Sequence, residues 1–173
     1  MSNHQALRFA GDVNIERVLL VSSNQIFTDI KDLTVGIQLF EDLSSPFISG
    51  TLVIKESLDL LNAIPLTGDE YVRLKISTPS LPEGAIDSEF YIYKMTKRSK
   101  LNEGTLAYEL HFISPEAIVD TNKKISKKFS GKPSDIARDI LTNKDYGLQT
   151  VKGLNIEPTS NEVHYISNFW NPE

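Results

Sequence analysis

Between Val72 and Ser77, apolar and polar residues alternate: Val72, Leu74 and Ile76 are set against Arg73, Lys75 and Ser77. The same rhythm returns in Val35, Ile37 and Leu39 against Thr34, Gly36 and Gln38, and in Leu106, Tyr108, Leu110 and Phe112 against Ala107, Glu109 and His111. A repeat of two brings side chains back to one face only in an extended chain, so each segment reads as a strand with one face on a core and one in water. Three more segments, Ile15–Ser22, Phe47–Ser57 and Ser88–Thr96, carry apolar residues on both faces and are expected to be covered on two sides. The fold class is therefore mainly β with short helices, and the six strands are expected to form a small antiparallel β-barrel or a pair of orthogonal sheets.

The connections differ in kind. Lys100 to Gly104 reads as a hairpin turn, and the turn-rich stretch Thr78–Asp87 as the link between the fourth and fifth strands. Between the third and fourth lies "ESLDLLNAIPL", in which Leu58, Leu61 and Ile64 share one side of a short helical turn that Ser57 can cap and Pro65 can end. Such a turn is expected to bury its apolar side against one end or edge of the sheet, as a plug. A functional reading puts its outer side, with Asp59 and Asn62, at a seam between subunits.

After Ser114 the pattern changes. Pro115 can open a helix over "PEAIVDTN", and residues 132–143 place Ile136, Ala137, Ile140 and Leu141 on one face behind Pro133 at the first helical position. The remaining segment offers one possible strand and the aromatic cluster Tyr165, Phe169 and Trp170, without a clear core of its own. The expected organisation is a flexible lead-in over 1–13, a β domain over 14–114, and a helix-containing linker over 115–173.

Composition narrows the function. The longest apolar runs are a handful of residues, whereas a bilayer helix needs about 20, so no membrane span is expected. The first residues lack the charged start and apolar stretch of a secretory signal. The absence of cysteine excludes disulfides and thiolate metal sites. Charge is uneven: residues 1–93 carry 6 Lys/Arg against 13 Asp/Glu, residues 94–132 carry 9 against 4, and residues 133–173 carry 3 against 6. The basic middle contains Lys94–Lys100 and a second run, Lys123, Lys124, Lys127, Lys128 and Lys132, which form a candidate basic contact surface. Phe129 alone interrupts that second run with an aromatic ring, so direct nucleic-acid binding is not expected. Edge lysines also discourage sheet-to-sheet aggregation.

No catalytic site is expected. His4, His111 and His164 are the only histidines and show no metal-ligand spacing, and no Gly-x-Ser-x-Gly elbow or phosphate-binding glycine loop occurs. Carboxylate pairs such as Asp87 with Glu89, or Glu41 with Asp42, could serve a glycosidase only across a cleft, and strand-end acids are usually solvated. No cofactor or metal is implied. The alternative to a structural role is a monomeric β-barrel module binding a ligand or carbohydrate through an aromatic groove, for which Tyr91 and Tyr93 are the available residues unless they belong to the core.

Taken in order, "FISGTLVIKESLDLLNAIPLTGDEYVRLKISTP", "AYELHFISPE" running into "ISKKFSGKPSDIARDIL", and the closing "NFWNP" resemble the N-terminal part of the baseplate central hub protein of contractile-tailed bacteriophages. None of these stretches is a catalytic motif; their order carries the resemblance, which spans Leu33 to Pro172. It implies a tail-tube-like β-barrel with a helical C-terminal extension leading towards a second barrel that this sequence does not contain, so the chain is expected to be a fragment or a shortened relative. It further implies a virion protein, made in the host cytoplasm, whose complete form is a homotrimer adapting the sixfold tail tube to the trimeric central spike. The implied partners are further copies of itself, tail-tube or tube-initiator proteins, and the spike protein. On this reading Leu58, Asp59, Leu61, Asn62, Ile64, Tyr165, Phe169 and Trp170 are the candidate subunit-interface residues.

Overall fold

In the computed structural model, residues 12–78 and 81–172 are described, and contacts divide the chain into two compact units meeting at Ser114 and Pro115. His4, most of the expected lead-in, and residues 79 and 80 of the expected turn lie outside the described residues.

The first unit is one antiparallel sheet. Its strands are β1 (Asn14–Val21), β2 (Phe27–Asp29), β3 (Thr34–Asp42), β4 (Ser45–Glu56), β5 (Tyr71–Thr78), β6 (Leu81–Asn102) and β7 (Thr105–Ile113), in the order β2-β1-β5-β6-β7-β4-β3. All six expected strands are present, and β2 is added. The sheet is not closed into a barrel, which corrects that expectation: the edges β2 and β3 do not pair with each other. The β2 edge offers little ladder for closure. β2 is three residues long, and the chain leaves it through a 3-10 turn at Lys31–Leu33, where Leu33 N–H donates to the Ile30 carbonyl at 3.1 Å instead of continuing a ladder.

The alternating residues supply the core. Val18, Leu20, Leu52, Ile54, Val72, Leu74, Phe90, Tyr108, Leu110 and Phe112 are buried together with Ile30, Leu60 and Ile64. Burial of each such side chain contributes about 1.5–3 kcal/mol before the entropy of ordering it. The Phe90 and Phe112 rings pack at 5.1 Å and 54°.

Three local expectations change. Val35 is exposed because a β-bulge between Thr34 and Gly36 rotates it off the core face that Ile37 and Leu39 keep. The strand expected over Ser88–Thr96 is covered on one side only: Phe90 and Ile92 are buried while Tyr91 and Tyr93 face out, with Tyr91 beside Tyr71 and Tyr93 beside His111. The stretch Thr78–Asp87 is mostly ladder, since Thr78 pairs with Leu81, Ile76 with Ile86 and Lys75 with Asp87. At the other end of β6, Asn102 pairs with Thr105 across a tight turn in which Gly104 takes φ +84°, a conformation that favours glycine.

The second unit contains α2 (Pro115–Asn122), β8 (Lys128–Gly131), α3 (Pro133–Thr142) and β9 (Val163–Ile166), numbered after α1 (Leu60–Ala63) of the first unit. Both expected helices form, and α3 begins with proline in its first turn. β8 and β9 pair antiparallel, with Phe129 opposite Tyr165 and Ser130 opposite His164. The segment after α3 folds back on it, Leu148 N–H donating to the Ile140 carbonyl and Thr150 N–H to that of Leu141, each at 2.9 Å. Ala117, Ile125, Phe129 and Leu148 are buried, so this part of the chain covers some of the apolar surface that the sequence leaves unaccounted for.

Candidate functional site

The connection from β4 into α1 is organised by a buried acid. Leu52, Ile54 and Glu56 alternate on one face of β4, so the carboxylate falls in phase with the core and is 2% exposed. Its Oε2 accepts the Leu58 N–H at 2.7 Å, while Oε1 has no hydrogen-bond partner. Asp59 then takes φ +54°, ψ 40° as the N-cap of α1, and the Asn62 amide donates to both of its carboxylate oxygens at 2.8 Å. The expected apolar side is therefore corrected by two residues. Leu58 points outward at 70% exposure, Leu61 is half-buried, and the buried residues are Leu60 and Ile64. Ser57 does not cap the helix; its hydroxyl lies 3.4 Å from that of Thr105 in the β6–β7 hairpin. The left-handed turn at Asp59 displaces the helix start and with it the buried face.

Between this connection and the hairpin lies a cavity of about 290 Å³, lined by Glu56, Ser57, Asp59, Lys100, Gly104, Thr105 and Leu106. Glu56 was legible in the sequence as a carboxylate in phase with Leu52 and Ile54, a signal that a search for catalytic pairs passes over. Nearby Tyr108 is also buried with an unpartnered hydroxyl, and burial, followed by the negative charge of Glu56, pushes its pKa above the usual tyrosine range.

In the second unit the rings of Tyr165 and Trp170 lie 5.8 Å apart, and Phe169 and Trp170 are 70% and 61% exposed. Backbone bonds between Trp170 and Ile125 fix this end, and the Asn171 amide donates to the Asp120 carboxylate at 2.9 Å. The second basic run is not a uniform free surface. Lys123 donates to the Lys144 carbonyl at 2.8 Å, Lys124 to the Asn171 side chain, and Lys127 to the Tyr146 hydroxyl, with Asp139 at 3.6 Å. The Lys127 ammonium also sits 4.1 Å from the centre of the Tyr146 ring. Hydrogen bonding from Tyr146 holds the Asp139 carboxyl below its usual range. Lys128 and Lys132 are the exposed members of the run whose side chains make neither a hydrogen bond nor an ion pair with any described residue.

The two described histidines are tied to hydroxyls. His111 Nε2 lies 2.7 Å from Thr96 Oγ1 and Nδ1 3.3 Å from Thr51 Oγ1, with Glu109 Oε2 at 4.0 Å; His164 Nδ1 lies 2.5 Å from Ser130 Oγ. Three of the four carboxylates weighed as pairs have other partners: Asp87 meets Arg17 at 3.6 Å, Glu89 meets Arg73, and Asp42 accepts the Ser44 N–H at 2.7 Å. Among the described residues no group of three or more His, Cys, Asp or Glu is placed to hold a metal, and no helix is long and apolar enough to cross a membrane.

No protein-family model matches this sequence, and no curated protein matches it. Its fold is similar to that of a tail protein from Neisseria meningitidis MC58, with a TM-score of 0.54 at 13% identity over 93% of this chain. The chain spans 42% of the length of that protein. A lidded PdpA–VgrG complex from Francisella aligns over 93% of this chain and 23% of its own, at 14% identity and a TM-score of 0.45.

Proposed function

We propose that this chain is a structural component of a phage-tail-like assembly, and within it the part of a baseplate hub that adapts a sixfold tube to a trimeric spike. The observation that carries this reading is the shared fold with the Neisseria meningitidis tail protein across 93% of the chain. The order of sequence features from Leu33 to Pro172 supports the hub in particular. The role is one of assembly, without catalysis: the histidines and strand-end carboxylates described above are engaged in hydrogen bonds and ion pairs that hold the chain's own surface together.

The surfaces offered to neighbours follow from exposure. Leu58 and the outer side of α1 with Asn62 form one, and Phe169, Trp170 and Ile166 form the other. Asp59 is a poor place for a bulky probe, since its positive φ makes other residues strained there. Asn62 and Leu58 are better. The test is reconstitution of the complete encoded protein with the tube and spike proteins of the same genome, followed by sedimentation. A trimer that binds both is expected, with Leu58→Arg hindering assembly while the fold persists. A monomer that binds neither would remove the hub reading.

A further inference from the structure

We propose that the free edge of β9 in one copy of this chain adds as a strand to the free edge of β3 in a second copy. β3 ends the seven-stranded sheet and is its long edge, nine residues against the three of β2. An unpaired edge offers a row of N–H and C=O groups to any extended chain, and proteins blunt it with lysine, proline or shortness. β3 contains no lysine, arginine or proline. Its register is regular from Gly36 to Phe40, between one irregularity after Thr34 and another after Phe40, so the stretch open to a new strand is short. β9 fits that stretch: it is four residues long, pairs only with β8 among the described residues, and is exposed at all four positions. Beyond it Phe169 takes φ +54°, an outlier for a bulky residue, and Trp170 is tied through both its N–H and its carbonyl to Ile125, with both rings exposed. Val35 and Phe40 of β3, and Leu43 just past it, are exposed apolar side chains of the kind that would meet them.

Charge selects the occupant and its direction. β3 ends in Glu41 and Asp42, and the Glu41 side chain makes neither a hydrogen bond nor an ion pair with any described residue. Lys128, equally free and opposite Ile166 at the end of β9, is its complement. A second β3 has no basic residue to offer; the nearest, Lys31, lies in the 3-10 turn outside the ladder and is followed by Asp32. Parallel addition, with Phe40 set beside Ile166, carries Glu41 towards Lys128 and Phe40 towards Phe169. Antiparallel addition would carry the same acids towards Glu162, a like-charge contact. Because the two edges are different surfaces, the contact is heterologous and repeats from copy to copy, closing into a ring where the rotation allows. This inference rests on the reading of the chain as an assembling component.

The chain has no cysteine, so single introduced cysteines report the contact without background. Whole chains carrying Gln38→Cys are mixed with chains carrying His164→Cys and a tag of different size, then oxidised; both positions are exposed, and paired strands hold opposite Cα atoms about 5 Å apart, within reach of a disulfide. A mixed disulfide dimer exceeding both homodimers is expected. Sedimentation of the unaltered chain should show self-association that Glu41→Lys or Lys128→Glu each weakens roughly three- to tenfold, with the two changes together restoring it. That rescue is a readout that simple damage to either edge would not give. Dominant Gln38→Cys homodimers would assign the β3 edge to a second β3, and that result, losses without rescue, or chains that stay single would each overturn the pairing. Binding of the tube and spike proteins, measured on the same variants, shows separately whether the assembly reading stands.

Discussion

Among the described glycines of the first unit, Gly50 leaves the least room for a side chain. It sits in β4 opposite Leu39 of β3 and Phe112 of β7. A Cβ placed there would lie 2.3 Å from the Gln38 carbonyl oxygen and 2.3 Å from Phe112 Cζ, where ordinary contact begins at 3.4 Å. The neighbours would have to yield by about 1 Å, and neither is free to do so. The carbonyl belongs to a paired backbone, and the Phe112 ring is fully buried against Phe90. Overpacking of a core costs about 1–3 kcal/mol, and a clash with backbone and ring together places Gly50→Ala near the upper value. At about 4–8 °C per kcal/mol for a domain of this size, the first unit should melt roughly 10–25 °C lower. Gly36→Ala is the control, because its nearest contact, Val53 Cγ2, would be at 3.5 Å. Melting by circular dichroism, with hydrogen exchange of the β3 amides to localise the damage, decides between them. Equal melting of Gly50→Ala and the unaltered chain, or equal loss in the two variants, would refute the packing described for this corner.

Leu60→Ala should cost about 2–4 kcal/mol and Leu58→Ala less than about 0.5 kcal/mol, measured by urea denaturation, because the first side chain is buried and the second is not. Burial tends to raise the Glu70 pKa, but hydrogen bonds from Gly68 N–H, Thr67 N–H and the Thr67 hydroxyl outweigh it and hold the carboxyl below its ordinary value of 4.5. Its contribution to stability is therefore fully present above that value and lost as pH falls through the lower folded one; Glu70→Gln should flatten the stability profile in that acidic window. Tyr146→Phe removes the hydroxyl shared by Lys127 and Asp139 but keeps the ring beside Phe129, so the second unit should lose about 1 kcal/mol in thermal denaturation.

The strands were legible where their cause is local. Val72, Leu74, Tyr108, Leu110 and Phe112 fall on the core face because alternation along the chain is alternation across the sheet. Val35 escapes the rule through a bulge, which depends on pairing with β4 and leaves no mark in the period. The helical turn was legible as an element but not in its register. Its start is fixed by the Glu56 side chain and the left-handed Asp59, so Leu60 takes the buried place expected for Leu58, while Leu61 stays half-buried against the core. The lysines show the same limit, since Lys127 reads as a surface charge until Tyr146 and Asp139 are brought to it by the fold. The open sheet could not be told from a closed barrel, because closure depends on whether the two edge strands meet, and no residue pattern records that.

The most direct measurement of the assembly role is electron microscopy of tail particles carrying an antibody or gold label on this chain. Label confined to one end of the tail, where tube and spike meet, is the predicted result. Label absent from tail particles, or spread along the length of the tube, would contradict it.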